Sequence, residues 1–164
     1  MLDLIKLLFD ICLLKKTPQD LPYSSSLLKL LAAANLGINF LLMNLSTDWF
    51  SAVLKAGIGV LLVGAFSWIC LFVSGKLTRF CQTTSALLGV DALLDIFALP
   101  PIATMIVNPE NLLAFLAMIG VIIWHWVITG HIMRNALEQS FAFSLGLAFL
   151  YLVIAFQVTA LILS

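Results

Sequence analysis

The sequence predicts an all-α polytopic membrane protein: five transmembrane helices preceded by an amphipathic interfacial helix. Three observations carry this. The chain is 63% hydrophobic and only 10% charged, with a mean hydropathy of +1.16, well outside the range of water-soluble domains. Apolar stretches of about 20 residues recur five times, each long enough to cross a hydrocarbon core of about 30 Å. Most of the charged residues lie before the first of those stretches or in the short links between them. Two regions follow from this pattern: an interfacial helix with a Pro-containing linker over 1–25, and a five-helix bundle over 26–164.

Residues Met1 to Lys16 have the length of a signal peptide, but Asp3 and Asp10 interrupt the charge pattern and no small-residue cleavage site follows. The segment is expected to stay. Asp3, Lys6 and Asp10 fall on one narrow helical stripe, and Leu4, Ile5, Leu7, Leu8, Ile11 and Leu14 cover the remainder. Such a helix lies along the membrane surface with Lys15 and Lys16 at the headgroups, or, in the alternative, docks on the bundle as a short core helix. Pro18 and Pro22 then break the helix, and the run Ser24 to Ser26 offers caps for the next one.

The first span is predicted over 26–45. Asn35 and Asn39 stand four apart on one face, which should point inward, while Ala33 and Gly37 form a small-xxx-small ridge. After a turn ending in Trp49, a residue suited to the interfacial belt, the second span covers about 50–74 and carries Lys55, Gly57, Gly59 and Gly64. A basic loop with Lys76 and Arg79 leads into the third span, 80–107, which holds Asp91 and Asp95 one turn apart. Pro100 and Pro101 should kink or unwind its last turns. The fourth span, about 112–133, contains Trp124-His125-Trp126 and closes on His131 and Arg134. In the fifth, about 141–163, Ala142 and Gly146 repeat the small-residue spacing, and Gln157 is the strongly polar side chain.

The basic residues set the orientation. Lys6, Lys15, Lys16, Lys29, Lys76, Arg79 and Arg134 fall on one side of a five-span arrangement, leaving only Lys55 toward the other. By the positive-inside rule the amino terminus is expected in the cytoplasm and the carboxyl terminus outside.

An ionisable side chain at mid-bilayer costs about 2.5 to 3.5 kcal/mol on insertion scales, so such groups turn inward and find partners. At about 1.5 Å per residue, Asp91 and His125 sit at matching depth and Asn39 lies close to their layer, whereas Asp95 is level with Lys55. The expected pairs are Asp91 with His125 and Asp95 with Lys55. The candidate polar cluster is therefore Asn35, Asn39, Lys55, Asp91, Asp95 and His125. It reads either as a proton or cation relay or as a set of pairs that lock helix register.

Other chemistries find less support. Eight Lys+Arg balance eight Asp+Glu, so no basic excess points to nucleic acid. Cys12, Cys70 and Cys81 lack metal or redox spacing and read as small apolar residues. His125 and His131, six apart, are poorly spaced for one metal, and neither a nucleophile elbow nor a phosphate loop is present. No catalytic residue, cofactor or metal is expected.

The segments Lys76-Leu-Thr-Arg-Phe-Cys-Gln-Thr-Thr84, Leu99-Pro-Pro101, Ile123-Trp-His-Trp-Val-Ile-Thr-Gly130 and Arg134-Asn-Ala-Leu137 resemble the Yip1-like family of five-span membrane proteins, over roughly the last two thirds of the chain. Eukaryotic members bind prenylated small GTPases and help shape secretory membranes, while bacterial members mostly have no assigned activity. The resemblance implies a five-span fold and a partner-binding role. Gln19-Asp-Leu-Pro-Tyr-Ser24 is similar to a motif of small proteobacterial membrane proteins, which suits a bacterial inner membrane. The first functional expectation is thus a non-enzymatic scaffold or accessory subunit, in contact with membrane lipids and with other membrane proteins or further copies of itself. The second is a small proton- or cation-coupled transporter or channel built on the polar cluster.

Overall fold

The computed structural model describes residues 2–161. Six α-helices follow one another: α1 (Leu2–Cys12), α2 (Ser25–Met43), α3 (Trp49–Val73), α4 (Phe80–Val107), α5 (Leu112–Leu137) and α6 (Phe141–Leu161). The last five are long and apolar enough to cross a membrane, so the protein is an all-α polytopic membrane protein. Residues 162–163, expected to finish the last span, lie outside the described residues, as does Met1.

The helix starts are written locally. Ser24, Asp48 and Asn111 each accept a hydrogen bond from a backbone N–H in the first turn of α2, α3 and α5, which satisfies a donor that the helix leaves open. The Ser51 N–H on the Asp48 carboxylate also holds that acid below its usual range. At the far end of α5, Glu138 closes the helix in the left-handed conformation at φ 54°. Around it Lys76 Nζ donates to Leu137 O at 2.8 Å and to Glu138 Oε2 at 2.6 Å, and Arg79 Nη2 reaches Glu138 Oε1 at 2.5 Å. Arg79 Nη1 covers the carbonyls of Asn135 and Ala136. The basic α3–α4 loop thereby caps the C-terminus of α5, where carbonyls lack intrahelical donors and the dipole favours cations.

The central helix is α4, which packs against α1, α2, α3 and α5, most extensively against α2 and α5. Its helical structure runs through Pro100 and Pro101 to Val107. The expected unwinding is therefore not seen, although Pro100 and Pro101 leave the carbonyls of Ile96 and Phe97 without their helical N–H donors.

α1 takes the docked alternative rather than lying only across the bundle's end. Leu8, Ile11 and Cys12 are buried. Leu8 fills a slot over Gly89, where a Cβ would stand 2.7 Å from its Cδ2. Phe9 meets Phe97, which meets Trp124, and Trp124 Nε1 donates to the Cys12 carbonyl at 3.0 Å. Gly89 and Phe97 lie about 14 Å and about 26 Å along α4 from its start. The linker is tied to the same end by Gln82 Nε2 donating to Gln19 O and Leu21 O, and by Gln19 Nε2 donating to Asn135 O.

The small-residue ridges, which could serve the bundle itself or an oligomer, make no close glycine contacts within the bundle. A Cβ at Gly37, Gly57, Gly59, Gly64 or Gly146 would meet nothing within 4 Å. The close approaches are at Gly89, under Leu8, and at Gly130, where a Cβ would meet Leu145 Cδ2 at 2.7 Å between α5 and α6.

Candidate functional site

The polar cluster assembles on α2, α4 and α5, around the middle of the helices. Asp91 and Asp95, one turn apart, project from the same side of α4. His125 Nε2 lies 2.9 Å from Asp91 Oδ1. The ring nitrogen is nevertheless out of line for a hydrogen bond, so the contact is a close charge contact whose strength depends on the proton His125 carries. Asp95 Oδ2 accepts from Asn39 Nδ2 at 2.6 Å. Asn39 Nδ2 also faces Asn35 Oδ1 at 3.3 Å, and Asn35 Nδ2 donates to the Leu88 carbonyl of α4 at 3.1 Å. Because a carboxylate only accepts, the Asn39 amide nitrogen must face Asp95, which leaves its Oδ1 facing elsewhere.

Of the residues expected there, Asn35, Asn39, Asp91, Asp95 and His125 come together, and Lys55 does not. Lys55 is 7% exposed on α3 and makes no ion pair or hydrogen bond among the described residues. The expected Asp95–Lys55 pair is corrected to Asp95–Asn39. Matching depth was a correct constraint but an insufficient one: α2 packs on α4 more extensively than α3 does, and the amide that reaches Asp95 comes from α2.

The same three side chains, Asp91, Asp95 and His125, line two cavities. One, of about 200 Å³, is mainly apolar, with Met43, Leu94, Met118 and Val121 in its wall. The other, of about 140 Å³, is the more polar of the two, with Asn35, Asn39 and Tyr151 in its wall beside Gly59 and Val63. The titratable trio is common to both.

Tyr151 is the residue that sequence reading missed. Its side chain is 9% exposed, its ring packs on Phe66 with centroids 4.7 Å apart, and its hydroxyl has no hydrogen-bond partner among the described residues. The available signal was position: a tyrosine at the middle of α6 stands away from the interfacial belts where the residue is enriched. Gln157, the polar residue singled out in that helix, is exposed and borders a lateral apolar groove instead.

His131 is remote from this cluster in its bonding. Its Nε2 lies 3.0 Å from the Lys16 carbonyl, tying α5 to the linker. Among the described residues no three His, Cys, Asp or Glu side chains converge as a metal-ligand set. Trp126 Nε1 donates to the Leu145 carbonyl at 2.8 Å, so both tryptophans beside His125 bond backbone of neighbouring segments.

No family model, no curated protein and no solved structure matches this chain.

Proposed function

We propose that the protein is a small proton- or cation-coupled membrane transporter or channel in which Asp91, Asp95 and His125 are the working groups. The observation that carries this reading is that one set of three titratable side chains forms a wall of two separate cavities. Titratable groups that border open space, in a medium where charge is costly, are placed to hold and release a proton or ion. Pairs that served only to lock helix register would need no cavity on either flank.

The test is reconstitution in liposomes with an internal pH dye and an imposed ion gradient. Flux in the wild type that falls at least tenfold in Asp91→Asn supports the reading. Equal flux in both, or none in either, overturns it.

A second reading, a non-enzymatic scaffold or accessory subunit of a bacterial inner-membrane complex, draws on the lateral groove. This apolar groove of about 590 Å³ lies on α5 and α6, between Trp126, Phe149 and Phe156, with Gln157 at its edge. Ala33, Ala142 and Gly146 are also exposed, leaving small-residue ridges for a neighbouring helix. The Yip1-like resemblance agrees with such a role. The orientation that suits both readings has the Lys76–Glu138 end in the cytoplasm, and reporter fusions at residues 46 and 76 would distinguish the two sides.

A further inference from the structure

We infer that the polar cavity beside Asp95 is a binding site for one monovalent inorganic cation of sodium size, taken up in exchange for a proton. This rests on the transport reading and names the ion class that the site would handle.

Charge balance comes first. Asp91 has a counter-group in His125 at 2.9 Å, and with that imidazole protonated the pair is neutral. Asp95 has none: its partner is the neutral Asn39 amide, and Lys55 makes no pair with it. One negative charge in a low-dielectric site is left to be neutralised, by one proton or by one singly charged cation. A divalent ion would leave the site over-compensated by one charge.

The ligand chemistry agrees. The oxygen-bearing residues lining the cavity are Asp95, Asp91, Asn35 and Tyr151, while Asn39 turns its amide nitrogen to Asp95. These are hard oxygen donors without thiolate, the set that suits small alkali cations rather than zinc or copper. Tyr151 supplies an independent indication. Its side chain, nine-tenths buried, lines the cavity with a hydroxyl that has no protein hydrogen-bond partner among the described residues, which leaves an oxygen lone pair available to a ligand. A volume of about 140 Å³ holds a cation with a few waters at roughly 30 Å³ each, and is too small for a fully hydrated ion with its second shell.

Binding and protonation are then alternatives at one carboxylate. When the cation enters, the O–H bond of protonated Asp95 breaks, the proton leaves to solvent and the cation takes its place on the oxygen. The titratable neighbours that set this balance are Asp91 on the same helix, His125 on α5 and Tyr151 on α6. α2 contributes only the neutral amides, α1 brings Cys12 within electrostatic reach of Asp91, and Lys55 of α3 stays unpaired.

The experiment uses the full chain purified in detergent in choline buffer, titrated with NaCl, LiCl and KCl. Proton release is read with a pH dye in weak buffer, and binding by the fluorescence of Trp124, the neighbour of His125 in sequence. The expected result is saturable release of about one proton per sodium bound, with apparent affinity falling about tenfold per pH unit below the midpoint. Tyr151→Phe, which keeps the ring packing on Phe66, should weaken sodium about tenfold while leaving acid titration of the cluster in place. Asp95→Asn should remove both signals. Response to none of the three salts, or response equal in Asp95→Asn, overturns the cation site. If Asp91-dependent proton flux is nevertheless present in liposomes, the transport reading survives with protons alone; if flux is also absent, both fall.

Discussion

The carboxylate of Asp91 and the imidazole of His125 meet at 2.9 Å from two helices joined by a short turn, with side-chain exposures of 13% and 25%. Each group is there because the other is. Removing one partner of a buried ion pair leaves an uncompensated charge and typically costs about 3–5 kcal/mol, whereas replacing both can be nearly neutral. Asp91→Asn and His125→Gln should therefore each destabilise the bundle, and the double variant should recover most of the loss. Unfolding in mixed micelles measures this, and strict additivity of the two single costs would show that the residues are energetically independent.

The latch at the other end of α5 makes a prediction in pH. Hydrogen bonds from Lys76 and Arg79, with their positive charge, hold the Glu138 carboxyl at about 2, against an ordinary value near 4.5. A carboxyl depressed on folding stabilises the native state above its unfolded value, and that stabilisation fades as pH falls through the folded one. The capping contribution should thus be constant from pH 7 down to about 4.5 and be lost toward pH 2. The side chain is fully exposed, so salt should weaken the latch as well. The check is acid sensitivity of wild type against Glu138→Gln: the two should differ at neutral pH and converge near pH 2.

How much of this was legible in the sequence depends on what lipid does to the signal. Span positions were legible because length and hydropathy are fixed by membrane thickness, and Ser24, Asp48 and Asn111 mark helix starts by residue type. The depth of Asp91 and His125 was legible from the rise per residue. Rotational phase was not. α4, α5 and α6 are apolar nearly all round, so nothing in hydropathy says which face meets a neighbour. That is why the seams fall at Gly89 and Gly130 rather than at Gly57, Gly59 or Gly146, and why Asp95 found Asn39 instead of Lys55. The docking of α1 was open for a related reason: a helix of this length suits either the interface or the bundle, and only the hole over Gly89 decides.

That hole can be filled. A methyl at position 89 would stand 2.7 Å from Leu8 Cδ2, closer than carbon atoms approach, so either the leucine turns away or α1 shifts. Overpacking of this kind costs about 1–3 kcal/mol, set against about 1 kcal/mol gained by replacing glycine within a helix. Gly89→Ala should be mildly destabilising, Gly89→Val more so, and Leu8→Ala in the same chain should rescue both. Proteolytic release of the amino-terminal segment measures docking directly. If Gly89→Val leaves the cleavage rate unchanged, Leu8 does not sit where the structure places it.

The thiol of Cys12 reports the same docking without a structural change. Burial first, and then the negative charge of Asp91, push it up from about 9 to about 11. The thiolate is the nucleophile, so two factors, a closed environment and a scarce reactive form, both oppose alkylation. In a Cys70→Ala, Cys81→Ala background, maleimide should label Cys12 slowly at pH 7.5, with the rate climbing as pH approaches about 11. The sign for stability follows: a group whose value is raised on folding contributes fully below its unfolded value of about 9, and docking weakens as pH rises toward about 11. Gly89→Val should move labelling in the same direction at constant pH, since a displaced α1 exposes the thiol. Rapid labelling of the otherwise native chain at pH 7.5 would mean that α1 leaves its seat on α4 and α5 for much of the time.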